Sequence, residues 1–351
     1  MDWIFQGFTA TLKDMLKRIK ASLGRLPLKL LYAGYPRLAA FLQRLWLLRG
    51  KKPVRSRVLY FIKSSARLYE WENISHSRNP ISHSAMDYPV ILINRDCDSR
   101  RLAAFQQQAE RWQIPFRRHT AINAVAPGFD FSPYANEIGD TFYGKSRFLK
   151  GAVGCFLSHV RAWQCGLAKG DVIGLICEDD ARLLGPLPVL AADFGIPPDA
   201  DLVFANQRMA DGLLQQQYVA DLRDQRFLMV PANVAFFELL KFNSNITGPG
   251  GDGYILTRKG AEKLLRIYAR TKVSMEVDWF LVFHSLTDDE MRRFRAEDGT
   301  GRFDLVDLAD ERLNSYVLLP SLVEQSAMGS GINFDRQSSY LERSEMFPNL
   351  R

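Results

Sequence analysis

Val172-Ile-Gly-Leu-Ile-Cys177 is an apolar run of six residues that passes directly into three adjacent carboxylates, Glu178-Asp179-Asp180. A short, uncharged, partly β-branched stretch of this kind reads as a buried strand. Three neighbouring acids repel one another and lose hydration when partly buried, so their place at a strand end calls for compensating positive charge. A hard divalent cation is one source of it. Without one, the acids form a solvated turn in which Asp179 or Asp180 caps the next segment.

Further strand-like runs lie at Val90 to Ile93, Leu202 to Ala205, Tyr254 to Thr257 and Tyr316 to Leu319. Helical patterns alternate with them. Leu102, Phe105 and Ala109 share one helix face, and Ala261, Leu264, Leu265 and Tyr268 share another. This alternation predicts an α/β domain with a largely parallel sheet, whose ligand sites lie beyond the carboxyl ends of its strands. The acidic triplet stands at such an end.

The 351 residues, 47% hydrophobic and 24% charged, bury a sizeable core and exclude a disordered chain or a small disulfide scaffold. Cys97, Cys155, Cys165 and Cys177 have no zinc-type spacing, which favours reduced thiols in a cytosolic compartment. The net charge of +7 is unevenly spread: residues 1–68 carry +13 and the remainder −6. On a helix, Ile4, Phe5, Phe8, Leu12, Met15, Leu16, Ile19 and Leu23 form a stripe about 120° wide, opposite Lys13, Lys17 and Lys20. A second apolar and basic segment follows Pro36, from Arg37 to Arg49.

No uncharged run reaches the roughly 18 residues that span a bilayer, and no signal-peptide arrangement is present. The segment 1–68 reads either as an anchor on an anionic membrane surface or as a helical appendage packed on the catalytic part. Nucleic acid is not expected as a partner, because the basic stretch lacks a recognised binding motif. Residues 69–87, rich in turn formers, read as a linker, which leaves 88–351 for the main domain.

Several motifs stand in a recognisable order around the acids. They are Val90-Ile-Leu-Ile-Asn94-Arg95-Asp96, Ala121-Ile122-Asn123-Ala124, Gly154-Cys155-Phe-Leu-Ser158-His159, Gly250-Gly251-Asp252-Gly253, Val277-Asp278-Trp279 and Val323-Glu324-Gln325. This series, over roughly residues 88 to 333, resembles glycosyltransferase family 25. That group includes bacterial lipopolysaccharide and lipooligosaccharide sugar transferases and is similar to the collagen galactosyltransferases. Asn94 and Asn123 stand where the family has acidic residues for donor base or ribose contacts, and here offer neutral amides.

The resemblance implies a glycosyltransferase A-type, Rossmann-like single-sheet fold and a nucleotide-sugar donor, UDP-galactose or UDP-glucose. It further implies Mn²⁺ or Mg²⁺ and an inverting displacement onto a lipopolysaccharide, lipooligosaccharide or other lipid-linked acceptor. Asp180 is then the first metal ligand, with Glu178 and Asp179 completing the metal and ribose environment, and Ser158 and His159 lie near the donor. Outside that context His159 reads as a satisfied, half-buried histidine. The expected location is the cytoplasmic face of the inner membrane, or the cytoplasm.

Arg95, Arg100 and Arg101 offer fixed donor geometry for a diphosphate, or form an exposed surface cluster. Asp278, set between Val277 and Trp279-Phe280-Leu281, is the leading general base, though an acid there also caps a helix. Asp252 in its glycine loop is the competing base or a ligand for an acceptor hydroxyl. Cys155 reads as packing and not as a nucleophile, and Asp288-Asp289-Glu290 as the first turn of a solvated helix. A function of a different class stays open: an inactive transferase-like domain that binds carbohydrate or acts as a membrane scaffold.

Overall fold

A computed structural model of the chain describes residues 89–168, 173–185, 197, 199–206, 228–233, 235–236, 250–298, 301, 303–306, 308–319, 321–326 and 340–348. The basic segment over 1–68 and the linker over 69–87 lie outside these residues. The first elements in chain order are β1 (Val90–Asn94), α1 (Ser99–Arg111), β2 (Phe116–Thr120), β3 (Arg147–Leu149), α2 (Lys150–Ala168), β4 (Ile173–Glu178) and β5 (Ala181–Leu183). Next come β6 (Leu202–Phe204), β7 (Leu228–Pro231), β8 (Gly253–Thr257), α3 (Arg258–Thr271), α4 (Val277–Phe283) and α5 (Asp288–Asp298). The last are β9 (Ser315–Leu319), β10 (Val323–Gln325), β11 (Tyr340–Glu342) and α6 (Arg343–Met346).

Seven strands form one sheet in the order β2-β1-β4-β8-β6-β9-β7. Parallel pairs join β1 to β2 and to β4, and β6 to β9. β8 runs antiparallel between β4 and β6, and β7 antiparallel to β9. Five strands therefore point one way, as the strand and helix alternation predicts, and two are reversed. The reversal of β8 matters for function. It sets the start of β8 against the end of β4, with Gly253 opposite Cys177, so the glycine loop before β8 meets the acids after β4.

The inner strands β1, β4, β6 and β8 are buried on both faces, which explains their nearly unbroken apolar character, whereas the edge strand β2, Phe-Arg-Arg-His-Thr, is largely exposed. Val90 and Leu92 of β1, Leu175 and Cys177 of β4, and Ile255 of β8 pack with Phe105 and Ala109 of α1. Their neighbours Ile93, Ile176, Tyr254 and Leu256 point the other way and pack with α2, α3 and α4. On α3 the buried face is Ala261, Leu264, Ile267 and Tyr268, with Leu265 only partly covered. Its start is fixed twice. Thr257 Oγ1 accepts from Gly260 N at 2.9 Å, and a Cβ at Gly260 would stand 2.0 Å from the Asp201 carbonyl oxygen.

Helix α4 is apolar on nearly every side, with Val277 and Trp279 to Phe283 all buried. Trp279 and Phe283 meet Phe294 of α5 and Phe303 in an aromatic cluster. Burial of each such side chain contributes about 1.5–3 kcal/mol, so α4 is locked and its one acid, Asp278, is held in the first turn. The run Asp288-Asp289-Glu290 opens α5 as predicted, with Glu290 Oε2 accepting from Thr287 N. All four cysteines are free. Among the described residues no helix is long and apolar enough to cross a membrane.

Candidate functional site

Parallel pairing sets Ile93 opposite Glu178 and Asn94 opposite Thr120, so the carboxyl ends of β1, β2 and β4 open on one side of the sheet. A cleft of about 610 Å³, counting its open mouth, lies there. It is lined by Arg95, Arg101, Asn123, Cys155, Ser158 and all three acids, together with small apolar groups from residues 121–125.

The three carboxylates have different partners. Asp179 is neutralised: Arg101 Nη1 donates to its Oδ1 at 2.6 Å and Asn94 Nδ2 to its Oδ2 at 2.8 Å. Burial opposes the Arg101 charge, but the bond to Asp179 and the fields of Asp179, Asp180 and Asp98 outweigh it and raise its pKa. Glu178 Oε1 faces His159 Nε2 at 3.3 Å and accepts from Cys155 Sγ at 3.6 Å. Asp180 is 3% exposed; Gln325 Nε2 donates to its Oδ2 at 3.0 Å, while its Oδ1 is buried and has no hydrogen bond among the described residues.

An orphaned, buried carboxylate oxygen is costly unless something positive completes it. Asp180 and Glu178 line one cleft, and carboxylate oxygens are the donor type that a hard cation such as Mn²⁺ or Mg²⁺ accepts.

The loop bearing Asn123 is pinned to α2. Ser158 Oγ accepts from Ile122 N at 2.8 Å and donates to the Gly154 carbonyl at 2.6 Å. Gly154 permits the approach, because a Cβ there would lie 2.7 Å from Ile122 O and 2.9 Å from Ala124 Cβ. Asn123 Oδ1 accepts from Arg95 Nη1 at 3.3 Å, and Arg95 Nε donates to Asp98 at 2.6 Å. Arg95 is thereby held at the cleft wall.

Behind Glu178 the environment is closed. His159 is fully buried, and burial brings its pKa down to about 4, with Asp278 pulling weakly the other way. Its Nδ1 lies 2.7 Å from the hydroxyl of Tyr254, which accepts from Trp163 Nε1 at 2.8 Å. Burial, then the negative fields of Glu178 and Asp278, push the Cys155 thiol well above its ordinary range. A thiol held protonated is no nucleophile.

Asp278 comes to the same place from α4. A Cβ on Gly251 would lie 2.8 Å from Asp278 Oδ1 and 3.0 Å from Glu178 Oε1, so both carboxylates close around this glycine. Asp252 is 2% exposed, and its carbonyl faces Glu178 N at 3.4 Å. Asn206 Nδ2 donates to the Gly250 carbonyl at 2.8 Å and fixes the loop.

The site thus gathers Arg95, Asn123, Ser158, Glu178, Asp179 and Asp180 in the cleft, with His159, Asp252 and Asp278 packed around Glu178 and Gly251. Asn94 is buried beneath it as a bracket for Asp179 and Arg118. Arg100 is exposed and Arg101 faces the acids. Periodicity distinguishes the two: Arg101, Phe105 and Ala109 recur every four residues on the inward face of α1. Gln325 was not singled out by sequence reasoning as a partner of Asp180. Its only signal is the Val323-Glu324-Gln325 motif, which β10 pairs with β5 next to the triplet.

A mixed sheet whose strand ends carry acids, arginines and a glycine loop has the character of a Rossmann-like sugar transferase. The model of glycosyltransferase family 25 (LPS biosynthesis protein) matches residues 87–281, more than half of the chain. The chain belongs to that family and is a glycosyltransferase of lipopolysaccharide biosynthesis, which implies a nucleotide-sugar donor and a glycan acceptor. No curated protein matches it.

Proposed function

We propose that the protein transfers a hexose from UDP-galactose or UDP-glucose to a lipopolysaccharide or lipooligosaccharide core, or another lipid-linked acceptor, by single displacement with inversion. The observation that carries this reading is the buried, unsatisfied Oδ1 of Asp180 in a cleft shared with Glu178 and two arginines. Mn²⁺ or Mg²⁺, held by Asp180 with Glu178, would neutralise charge developing on the leaving diphosphate.

The remaining work falls to the chain itself. Arg101 and Arg95 are held at the cleft wall, where their guanidinium groups meet diphosphate oxygens. Asn123 and Asp179, which line the same cleft, border the donor nucleoside. Asp278 takes the proton of the acceptor hydroxyl: its helix is locked by aromatic packing and its Oδ1 lies against Gly251, beside Glu178. Asp252, at the base of the same loop, is the second candidate for that proton or for holding the acceptor.

The +13 charge and apolar stripe of residues 1–68 support a peripheral position on the cytoplasmic face of the inner membrane. Co-sedimentation of the full chain with anionic vesicles tests this. Binding weakened but not abolished by salt supports an anchor, and indifference to vesicles removes it. The transfer reading is tested by a panel of nucleotide sugars with truncated core oligosaccharides, with Mn²⁺ and with a chelator. Metal-dependent formation of one glycoside supports it; no transfer from any donor refutes it.

A further inference from the structure

We infer that Trp163, Tyr254 and His159 form a buried donor relay that fixes the orientation of Glu178, with His159 locked as the Nε2–H tautomer. These are positioning residues for the site, and their role in transfer rests on the reading that Glu178 works at the donor end of the cleft.

The direction of the relay follows from the donor inventory. An indole N–H only donates, so Trp163 Nε1 gives its hydrogen to the Tyr254 hydroxyl at 2.8 Å. Tyr254 and His159 are both fully buried. The hydroxyl hydrogen needs an acceptor, and His159 Nδ1 stands 2.7 Å away. If Nδ1 carried the hydrogen instead, the tyrosine proton would be buried without an acceptor among the described residues, at a cost of about 1–3 kcal/mol. The other end agrees. A bare Nε2 would turn its lone pair on Glu178 Oε1 at 3.3 Å, whereas Nε2–H donates to it.

This direction excludes the other reading of the same cluster. Cys155, His159 and Glu178 offer ligand atoms within 4.8 Å of one another, a spacing that a metal could use. Ligation requires the Nε2 lone pair, and in the relay that nitrogen bears the hydrogen. Glu178 Oε1 is instead a shared acceptor for the imidazole and the Cys155 thiol, beside Asp278 and Gly251. Holding one carboxylate oxygen in this way fixes where the other can point.

The tautomer can be read without substrate, so the relay stands or falls apart from the transferase reading. Long-range ¹H–¹⁵N spectra of the histidine-labelled full chain, which has five histidines, with His159 assigned through His159→Gln, should show protonated Nε2 and bare Nδ1. In Tyr254→Phe the two tautomers should mix, and an equivalent of Zn²⁺ should leave the wild-type His159 signals in place. Protonated Nδ1 in the wild type, or a His159 shift on adding Zn²⁺, overturns the inference. Kinetically, Tyr254→Phe should lower kcat about ten-fold, as losses of such supporting partners do, with donor KM changed less. Unchanged kcat despite a mixed tautomer overturns the positioning role.

Discussion

Asn94 and Asp179, 85 positions apart in sequence, are joined by a 2.8 Å hydrogen bond beneath the cleft. The Asn94 amide is used at both ends, since its Oδ1 accepts from Arg118 Nε at 2.9 Å. An amide can serve a carboxylate and a guanidinium together; a second carboxylate cannot.

Asn94→Asp should therefore lower stability by about 2 kcal/mol at neutral pH, because like charges meet where a donor was lost. Denaturant unfolding at neutral pH measures it, and wild-type stability there would contradict the bracket.

Two glycines of α2 should respond with opposite signs to alanine. A Cβ at Gly154 meets Ile122 O and Ala124 Cβ closer than contact distance, whereas no described residue lies within 4 Å of one at Gly166. Gly166→Ala should stabilise by about 0.5–1 kcal/mol through helix propensity. Gly154→Ala should destabilise by about 1–3 kcal/mol, and should raise donor KM by displacing the loop that carries Asn123. Equal effects at the two positions would show that the loop does not press on the helix.

Burial, with Arg312 and Arg270 adding, brings the pKa of His284 down to about 4 despite its hydrogen bond to the Phe280 carbonyl. Its Nε2 is buried and makes no hydrogen bond among the described residues, so a proton there would have no acceptor. Between about pH 6.5 and 4 the unfolded chain binds a proton that the native one refuses, and stability falls as pH falls. The contribution is on the order of 3 kcal/mol, present above pH 6.5 and lost by pH 4. Unfolding of wild type and His284→Gln across this window should give a flatter profile for the variant; parallel profiles would contradict it.

Asp278→Asn should lower kcat by about 10²–10⁴-fold, the range for a lost general base, with donor KM little changed. If donor affinity collapses instead, Asp278 belongs to the donor pocket and Asp252 becomes the base.

Much of this arrangement is legible in the sequence, because the strands are short apolar runs with sharp borders and the acids follow one of them directly. β1, β4, β6, β8 and β9 lie where those runs predict. The direction of β8 was not legible: Gly-Tyr-Ile-Leu-Thr has the same pattern in either orientation, and only pairing with β4 and β6 sets it. Nor could adjacent acids be told apart. Asp179 and Asp180 differ through Asn94, Arg101 and Gln325, which reach them across 78 to 145 positions of chain. Local pattern carries no trace of such contacts.

The most direct measurement compares wild type and Asp180→Asn for Mn²⁺ binding and for hexose transfer from the preferred donor. One neutral amide in place of a charged oxygen ligand should weaken Mn²⁺ binding and lower transfer by about 10–100-fold, with the thermal unfolding midpoint retained. Unchanged Mn²⁺ affinity and full turnover in Asp180→Asn would contradict a metal site at the end of β4.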